Sequence, residues 1–170
     1  MKSAVFLFVL FGVIGAKSQV PHESIQSLIG QDYKTLGKKI DVRGVLLANT
    51  GSGYMIAQTD RAAVQFSINF LQSDRSVFYL LVKHRPDNSE RIITDVLEIK
   101  KTDIGKNQKL TEYCELNGHD PEIFAIVKAK GNPEYYTKIY KAWRANRHTE
   151  KFEAANIRKI KRCGNESFGI

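Results

Sequence analysis

The stretch that decides the fold lies between the two cysteines of the chain, Cys114 and Cys163. It contains three successive runs of residues: Ile123–Ala129 (IFAIVKA), Tyr135–Asn146 (YYTKIYKAWRAN) and Lys151–Cys163 (KFEAANIRKIKRC). Ile, Val, Tyr, Phe and Trp fit the pleated, half-buried surface of a β-sheet. We therefore expect an apolar strand, then a long aromatic and basic strand, and then a strand that returns beside it as a hairpin.

The beginning of the chain has the pattern of a secretory signal peptide. Lys2 precedes a continuous apolar run, Ala4–Ile14 (AVFLFVLFGVI), which is shorter than the roughly 20 residues that span a bilayer. Small residues follow the run, and Ala16 and Ser18 suit a cleavage site. A buried N-terminal helix is the alternative, but the run is uniformly apolar, not periodic. We expect residues 1–18 to be removed and 19–170 to form one secreted, extracellular domain without a transmembrane anchor.

A secreted chain with two cysteines most simply forms one disulfide, here Cys114–Cys163. In the chain-entropy model, a disulfide that closes the loop from Cys114 to Cys163 stabilises the folded protein by about 4 kcal/mol. Free thiols or an intermolecular bridge are the alternatives. The cysteines have no histidine at ligand spacing, so neither a metal nor another cofactor is expected. Asn165-Glu166-Ser167, just after the second cysteine, is an acceptor sequence for N-glycosylation, which predicts a glycoprotein.

Before Cys114, alternating apolar and polar residues predict most of the secondary structure. The clearest case is Ala63–Phe70, where apolar residues alternate with Gln, Ser and Asn, as in an antiparallel strand with one wet face. The other predicted elements are a short helix at Glu23–Ile29, a helical turn at Asp32–Leu36, a strand from Ile40 to Ala48 with a bulge at Gly44, a turn at Asn49–Gly53, strands at Tyr54–Thr59, Val77–His84 and Arg91–Lys100, and a loop or short helix at Thr102–Cys114.

About eight short strands with regularly spaced turns favour a mainly β fold, an antiparallel barrel or sandwich with one or two short helices. A lipocalin-like meander of eight strands is the first choice, although the Gly-x-Trp opening motif of lipocalins is missing, because the one tryptophan is Trp143. Gly37–Gly44 (GKKIDVRG) and the next two strands resemble the opening of an OB-fold barrel; the resemblance covers about a fifth of the chain and implies a small barrel. A cystatin-like α+β fold is the alternative.

The positive charge of the chain is concentrated near its end. The formal net charge is +8, and residues 138–162 contain nine basic residues but only two acidic ones. A localised positive field attracts polyanions, and aromatic rings among the cations suit the stacking of bases or the packing of sugar rings. The alternative is that Trp143 and Ile139 belong to the core and that the cations coat a solvated face or protect an edge strand. The predicted polyanion-binding residues are Lys138, Lys141, Arg144, Arg147, Lys151, Arg158, Lys159, Lys161, Arg162, Tyr136 and Tyr140.

The sequence therefore predicts a basic, non-enzymatic binding protein whose C-terminal hairpin engages an anionic partner. The partner classes are a sulphated glycan, nucleic acid, an anionic surface or an acidic protein, with defence or reproductive fluids as settings. No H-E-x-x-H, G-x-S-x-G or Walker motif occurs. The alternatives are an extracellular carrier of a small apolar ligand in a barrel, an inhibitor that uses loops such as Asn49–Gly53, and a hydrolase with dispersed catalytic residues. A core packed with Phe66, Phe70, Phe78 and Phe124 would argue against the carrier.

Overall fold

The computed structural model describes residues 25–42, 45–57, 65–87 and 89–168. The predicted signal peptide, its cleavage site and the predicted bulge at Gly44 lie outside these ranges. The described part of the chain contains twelve strands and four short 3₁₀ turns. The strands are β1 (Lys39–Val42), β2 (Val45–Ala57), β3 (Gln65–Gln72), β4 (Ser76–His84), β5 (Arg91–Lys100), β6 (Gln108–Thr111), β7 (Cys114–Glu115), β8 (Ile123–Lys128), β9 (Tyr135–Tyr136), β10 (Ile139–Asn146), β11 (Lys151–Ala154) and β12 (Arg162–Gly164). The 3₁₀ turns are Gln26–Leu28, Tyr33–Thr35, Lys101–Asp103 and Ile157–Lys159.

Sheet A is an antiparallel meander of β1, β2, β3, β4 and β5 that curls into a half-barrel. Its fourth strand, β4, is buried on both faces, because Phe78 and Leu80 face one apolar cluster while Tyr79 and Leu81 face another. The first 3₁₀ turn covers the first of these faces with Leu28. Two hydrogen bonds fix the backbone after that turn to β5: the Gly30 amide donates to the Ile93 carbonyl, and the Ile93 amide donates to the Gln31 carbonyl.

Sheet B, in the order β11-β10-β8-β6, forms the middle layer of the protein. Its strand β8 is the apolar run predicted from the sequence, and it is buried on both faces. Phe124 and Ile126 pack against sheet A, and the ring of Phe124 stacks on Tyr79 with 4.4 Å between centroids. Ala125 and Val127 point to the opposite side, where sheet C lies. An uninterrupted apolar strand is what a layer covered on both faces requires.

Sheet C, in the order β7-β12-β9, is the third layer and carries the disulfide. Cys114 and Cys163 lie directly opposite each other in the β7–β12 pair and are bonded through their sulfur atoms. Both cysteines are fully buried and pack in one cluster with Tyr136 and Ile160. The predicted disulfide is confirmed, and it joins β7 to β12 across the stretch that contains β8, β9, β10 and β11.

The predicted fold class is confirmed: the protein is mainly β, with antiparallel sheets, a curled half-barrel, a few short 3₁₀ turns and one disulfide. The meander continues through five strands, and the remaining strands form two further layers. Each 3₁₀ turn has three residues, so the described chain contains no long helix of the cystatin-like alternative. The described part of the predicted helix at Glu23–Ile29 is the 3₁₀ turn Gln26–Leu28.

The turn predicted at Asn49–Gly53 is wrong, because this segment lies inside β2. The pairing of β2 with β3 shifts register between Asn49 and Gly53, so the extra residues are absorbed as a bulge. Gly53 permits a very close approach of the two strands, since a Cβ atom there would lie 2.6 Å from the carbonyl oxygen of Ile68. Asn and Gly are typical of turns, but here they lie in an irregular strand.

The two long strands predicted after residue 135 are each divided. Tyr135–Tyr136 pairs with β12 in sheet C, whereas Ile139–Asn146 pairs with β8 and β11 in sheet B. The return strand ends at Ala154, turns at Ile157–Lys159 and resumes as β12. The predicted loop at Thr102–Cys114 contains the short strand β6. The chain thus changes sheet twice within a stretch whose residue pattern looks continuous.

Candidate anion-binding face

The predicted basic hairpin is formed by β10 and β11, with Asn146 paired to Lys151 next to the turn. The middle of β10 is buried on both sides. Trp143 packs towards sheet A and Ala142 towards sheet C. The pairing with β8 is irregular around Tyr140, and the side chains at this end of the strand are exposed. Strand β10 therefore presents its beginning, and not its middle, to solvent.

Three of the predicted cations are held in ion pairs. Arg144 Nη2 lies 2.6 Å from the Asp120 carboxylate, and Arg162 Nε lies 2.9 Å from the Glu115 carboxylate. Arg147 Nε lies 3.0 Å from Glu122. The charge of these arginines is balanced by acidic residues that precede the hairpin in the sequence. These three residues hold loops and strands together more than they provide a positive field.

The ion pairs also change the pKa values of their acidic partners. The hydrogen bond from Arg162 holds the pKa of the Glu115 carboxyl below its usual value. Partial burial raises the pKa of the Glu122 carboxyl, and the nearby Arg147 and Arg144 oppose that rise. Arg144 Nε is 3.6 Å from Glu122, so this carboxylate is shared by two guanidinium groups. Such sharing offsets the cost of removing the carboxylate from water.

The other exposed cations gather at the end of sheet B where β8 ends and β10 begins. The Lys128 amide donates to the Lys138 carbonyl at 2.9 Å, which brings these two lysines side by side. The Ala155 amide donates to the Ala142 carbonyl at 2.9 Å, so the following turn Ile157–Lys159 continues along the same edge. We call this set the basic rim; it consists of Lys128, Lys130, Lys138, Lys141, Arg158 and Lys159.

The six side chains of the basic rim are exposed, and among the described residues none of them forms an ion pair. The three segments that meet there, residues 126–133, 137–143 and 154–161, contain no Asp or Glu. Four of the six residues belong to the set predicted from the sequence. Lys128 and Lys130 do not, and only the antiparallel pairing of β8 with β10 brings them to the same place.

The remaining predicted residues lie elsewhere. Lys151 is exposed at the opposite end of the hairpin, next to its turn. Lys161 is exposed, and its backbone amide donates to the Glu115 carbonyl beside sheet C. Tyr136 is only 4% exposed and belongs to the cluster around the disulfide. These three residues do not lie beside the basic rim in any strand pairing.

The aromatic residues of this region are interleaved with cations, as the sequence suggests, but the cations lie over the rings. Lys138 Nζ is 5.4 Å from the centroid of Tyr140, and Lys141 Nζ is 5.3 Å from that of Trp143. These are distances of cation–π contacts. Trp143 also stacks on Phe124 with 5.6 Å between centroids and is only 9% exposed. Tyr140 is therefore the ring of the rim that solvent reaches, at 41% exposure.

The predicted glycosylation acceptor occupies a structural position in the folded chain. Asn165 is 9% exposed, and its Nδ2 donates to Asn132 Oδ1 at 2.5 Å and to the Pro133 carbonyl at 2.9 Å. Its Oδ1 accepts from Lys109 Nζ at 3.0 Å. A glycan on Nδ2 would replace one of these hydrogen bonds. Glycosylation of Asn165 stays a prediction.

An acidic cluster that the sequence did not reveal lies beside Tyr79 of sheet A and consists of the half-buried Glu112 and the exposed Glu166. The Glu112 carboxyl is hydrogen-bonded to Glu166 and to the hydroxyl of Tyr79. Burial, followed by the charge of Glu166, raises the pKa of Glu112 to about 7. The nearby hydroxyl of Tyr54 is buried and has no hydrogen-bond partner. No local sequence pattern indicates this cluster, because its two carboxyls and the two tyrosines beside them come from four separate segments of the chain.

Ser67 and His84 form a second polar pair inside sheet A. Ser67 Oγ lies 2.8 Å from His84 Nε2, and Asn69 Nδ2 donates to Ser67 Oγ at 2.8 Å. A serine beside a histidine is also the arrangement of a nucleophile and its base. Ser67 and His84 are only 6% and 8% exposed, however, and they lie diagonally across the β3–β4 pair. The geometry is that of a buried link between neighbouring strands.

No protein-family model, curated protein or solved structure matches this chain. Within the described ranges, none of the helices is long and apolar enough to cross a membrane. In the same part of the chain, no three or more His, Cys, Asp or Glu side chains are grouped so that they could hold a metal ion. The exposed surfaces and side-chain contacts described above are therefore the features that bear on function.

Proposed function

We propose that this protein is a secreted binding protein whose basic rim engages an anionic polymer. One observation carries the proposal: six exposed cations that form no ion pair with any described residue lie together at one end of sheet B. No acidic residue occurs in the segments that form that end. The predicted signal peptide and the disulfide agree with an extracellular protein.

The rim is suited to this role because its charge is not neutralised within the protein. A cluster of one sign raises the local concentration of oppositely charged polymers and accelerates their association. A polymer that contacts several lysines releases condensed counterions, so its affinity falls steeply with salt. Arg144, Arg147 and Arg162 add little to this field, because each has a carboxylate within 3.0 Å.

The structure does not favour the alternative of an apolar ligand carrier. Phe66 and Phe124 are at most 5% exposed and, with the partly buried Phe70, belong to the cluster between sheets A and B. Phe78 is 1% exposed and belongs to the cluster on the other face of sheet A. Side chains fill the space between these sheets, as in an ordinary core. The inhibitor alternative loses its suggested loop, because Asn49–Gly53 belongs to a strand.

The test of the proposed function is retention of the oxidised protein, residues 19–170, on immobilised heparin as the salt concentration is raised. The rim variant changes Lys138, Lys141, Arg158 and Lys159 to Glu. A matched control variant changes Lys38, Lys39, Arg75 and Lys100 to Glu; these exposed residues near the β3–β4 turn are also three lysines and one arginine. Circular dichroism and thermal unfolding show whether each variant is folded.

The proposed function predicts that wild type and the control variant are retained above physiological salt, with the control only slightly earlier. The rim variant elutes at or below physiological salt. If the two variants elute together, retention reflects net charge alone and the proposed role of the rim is wrong. If wild type itself elutes below physiological salt, a polyanion is not the partner of this surface.

A further inference from the structure

We infer that the polymer bound by the basic rim is a sulphated polysaccharide and not a nucleic acid strand. This inference rests on the proposed function and specifies the class of partner. It follows from four features of the rim: the state of its aromatic rings, the arrangement of its cations, the predominance of lysine among them and the small size of its apolar surface.

The aromatic rings are poorly placed to stack nucleic acid bases. Proteins that bind single strands use open aromatic faces, on which successive bases stack. Here Trp143 is 9% exposed and lies between Lys141 and Phe124. Tyr140 is the exposed ring, and Lys138 lies over it. A polymer without bases loses nothing from this arrangement, whereas a nucleic acid strand would lose most of its stacking.

The cations of the rim form a row across the strands. Lys128 ends β8, Lys138 and Lys141 lie at the start of β10, and Arg158 and Lys159 lie on the 3₁₀ turn that continues the line of β11. Because neighbouring strands are about 4.8 Å apart, a row over three of them spans roughly 10 Å. A linear chain with anionic groups at intervals fits such a row.

The chemistry of the free cations also fits sulphate. Five of the six rim residues are lysines, which bind an anion as a compact point charge from a flexible stem. Arginine, with its planar fork, is the better residue for bidentate recognition of phosphate. The arginines Arg144, Arg147 and Arg162 are already paired with carboxylates.

The apolar surface at the rim is small. Tyr140 and Ile157 are the large apolar side chains exposed there, at 41% and 40%. Two half-exposed side chains make a patch far smaller than the several hundred square ångströms of a typical apolar interaction site. Such a patch is too small to insert into a bilayer, so the cations remain the main contacts that the rim offers.

The inference is tested by isothermal titration of the oxidised protein in 150 mM salt with four probes. These are a heparin hexasaccharide, the same hexasaccharide after chemical desulphation, single-stranded oligothymidylate of equal formal charge, and vesicles of phosphatidylcholine with phosphatidylserine. We expect the sulphated hexasaccharide to bind at least tenfold more tightly than each of the other three. The rim variant should lose this binding by at least tenfold, and the control variant by less than threefold.

The outcomes separate the inference from the proposed function. If oligothymidylate or the vesicles bind the rim as tightly as the hexasaccharide, the inference is overturned and the proposed function stands. If desulphation has no effect, the inference is likewise overturned. If no probe distinguishes wild type from the rim variant, both are wrong. Replacement of Tyr140 by Ala provides a second readout, since it should change hexasaccharide affinity by less than about threefold, whereas stacked bases would lose more.

Discussion

At the scale of single residues, Asn165 shows how a surface sequence motif can become part of the structure. Its side-chain amide joins the C-terminal segment to Asn132 and Pro133 on one side and to Lys109 on the other. The amide is nearly buried, so the loss of these hydrogen bonds is not compensated by water. The three segments that it connects all belong to the end of the fold that surrounds the disulfide.

We predict that Asn165→Ala lowers the free energy of unfolding by about 1–2 kcal/mol, because it removes several partly buried hydrogen bonds. Ser167→Ala is the matched control: it also destroys the acceptor sequence, but it retains Asn165 and alters an exposed side chain. Urea unfolding of both variants measures the difference. Equal stability of the two variants would contradict the structural role of Asn165.

The protonation of Glu112 changes the stability of the folded protein. Its pKa is raised from 4.5 to about 7 in the folded protein, so the folded state holds the proton more tightly than the unfolded state. This contribution to stability is complete at low pH and is lost as the pH rises from about 4.5 to about 7. The cause is burial beside Glu166, and the hydroxyl of Tyr79 only partly offsets it.

Glu112→Gln is therefore expected to stabilise the protein at pH 8 by about 1–3 kcal/mol, since an amide stays neutral and can still donate to Glu166. At pH 4.5 the variant and the wild type should have nearly equal stability. Thermal or urea unfolding at the two pH values measures this. A variant that is less stable than wild type at pH 8 would show that the Glu112 charge is favourable, contrary to this account.

At the scale of elements, the sequence pattern succeeds where a strand keeps one environment along its length. The alternation in Phe66–Phe70 and the apolar run Ile123–Val127 correctly predict β3 and β8. Even there the polar face of β3 is not wet, because Ser67 is buried against His84. Local alternation indicates which residues share a face, but it does not indicate what covers that face.

The pattern fails where the chain changes sheet or register. Residues 135–146 alternate smoothly, yet Tyr136 pairs with Cys163 in sheet C while Trp143 pairs with Phe124 in sheet B. The difference is set by pairing with distant segments, which a local pattern does not contain. For the same reason, the sequence identified four cations of the basic rim but not Lys128 or Lys130, and it did not reveal the acidic partners of the three arginines.

The bulge in β2 gives a prediction at this scale. Gly53→Ala would place a Cβ atom 2.6 Å from a backbone oxygen of β3, so the two strands would have to separate. We expect it to lower the free energy of unfolding by about 1–3 kcal/mol, in the range of overpacking substitutions. Gly37→Ala is the control, because its new Cβ atom would lie at an ordinary 3.5 Å from the nearest atom, the Lys39 carbonyl oxygen. Equal unfolding midpoints for the two variants would contradict the close approach.

At the scale of the whole molecule, the disulfide holds the third layer in place. Sheet C consists of strands of two and three residues, which are too short to be stable alone. The Cys114–Cys163 bond closes the loop that contains β8 and the hairpin, and the chain-entropy model gives about 4 kcal/mol for it. Replacement of both cysteines by Ala should lower the unfolding midpoint clearly under oxidising conditions. Wild type under reducing conditions should behave like the variant, and a fully stable reduced protein would be inconsistent with this role.

The layered architecture also explains why the positive charge acts at one place. The sequence shows nine cations in residues 138–162, but the folded chain pairs three of them with carboxylates. Lys151 lies beside the hairpin turn, and the backbone of Lys161 is bonded to Glu115 next to sheet C. The other four lie together in the basic rim, and the end of β8 adds Lys128 and Lys130 to them. Net charge by sequence position is therefore a poor guide to the surface field, because strand pairing decides which charges meet.

The most direct test of this account maps the binding surface without any substitution. The oxidised protein is labelled with ¹⁵N and titrated with a heparin hexasaccharide while backbone amide chemical shifts are followed. The account predicts that the largest shifts occur at residues 128–130, 138–141 and 157–159, with little change at residues 144–151. Shifts that concentrate at the hairpin turn around residues 144–151, and leave the basic rim unchanged, would contradict it.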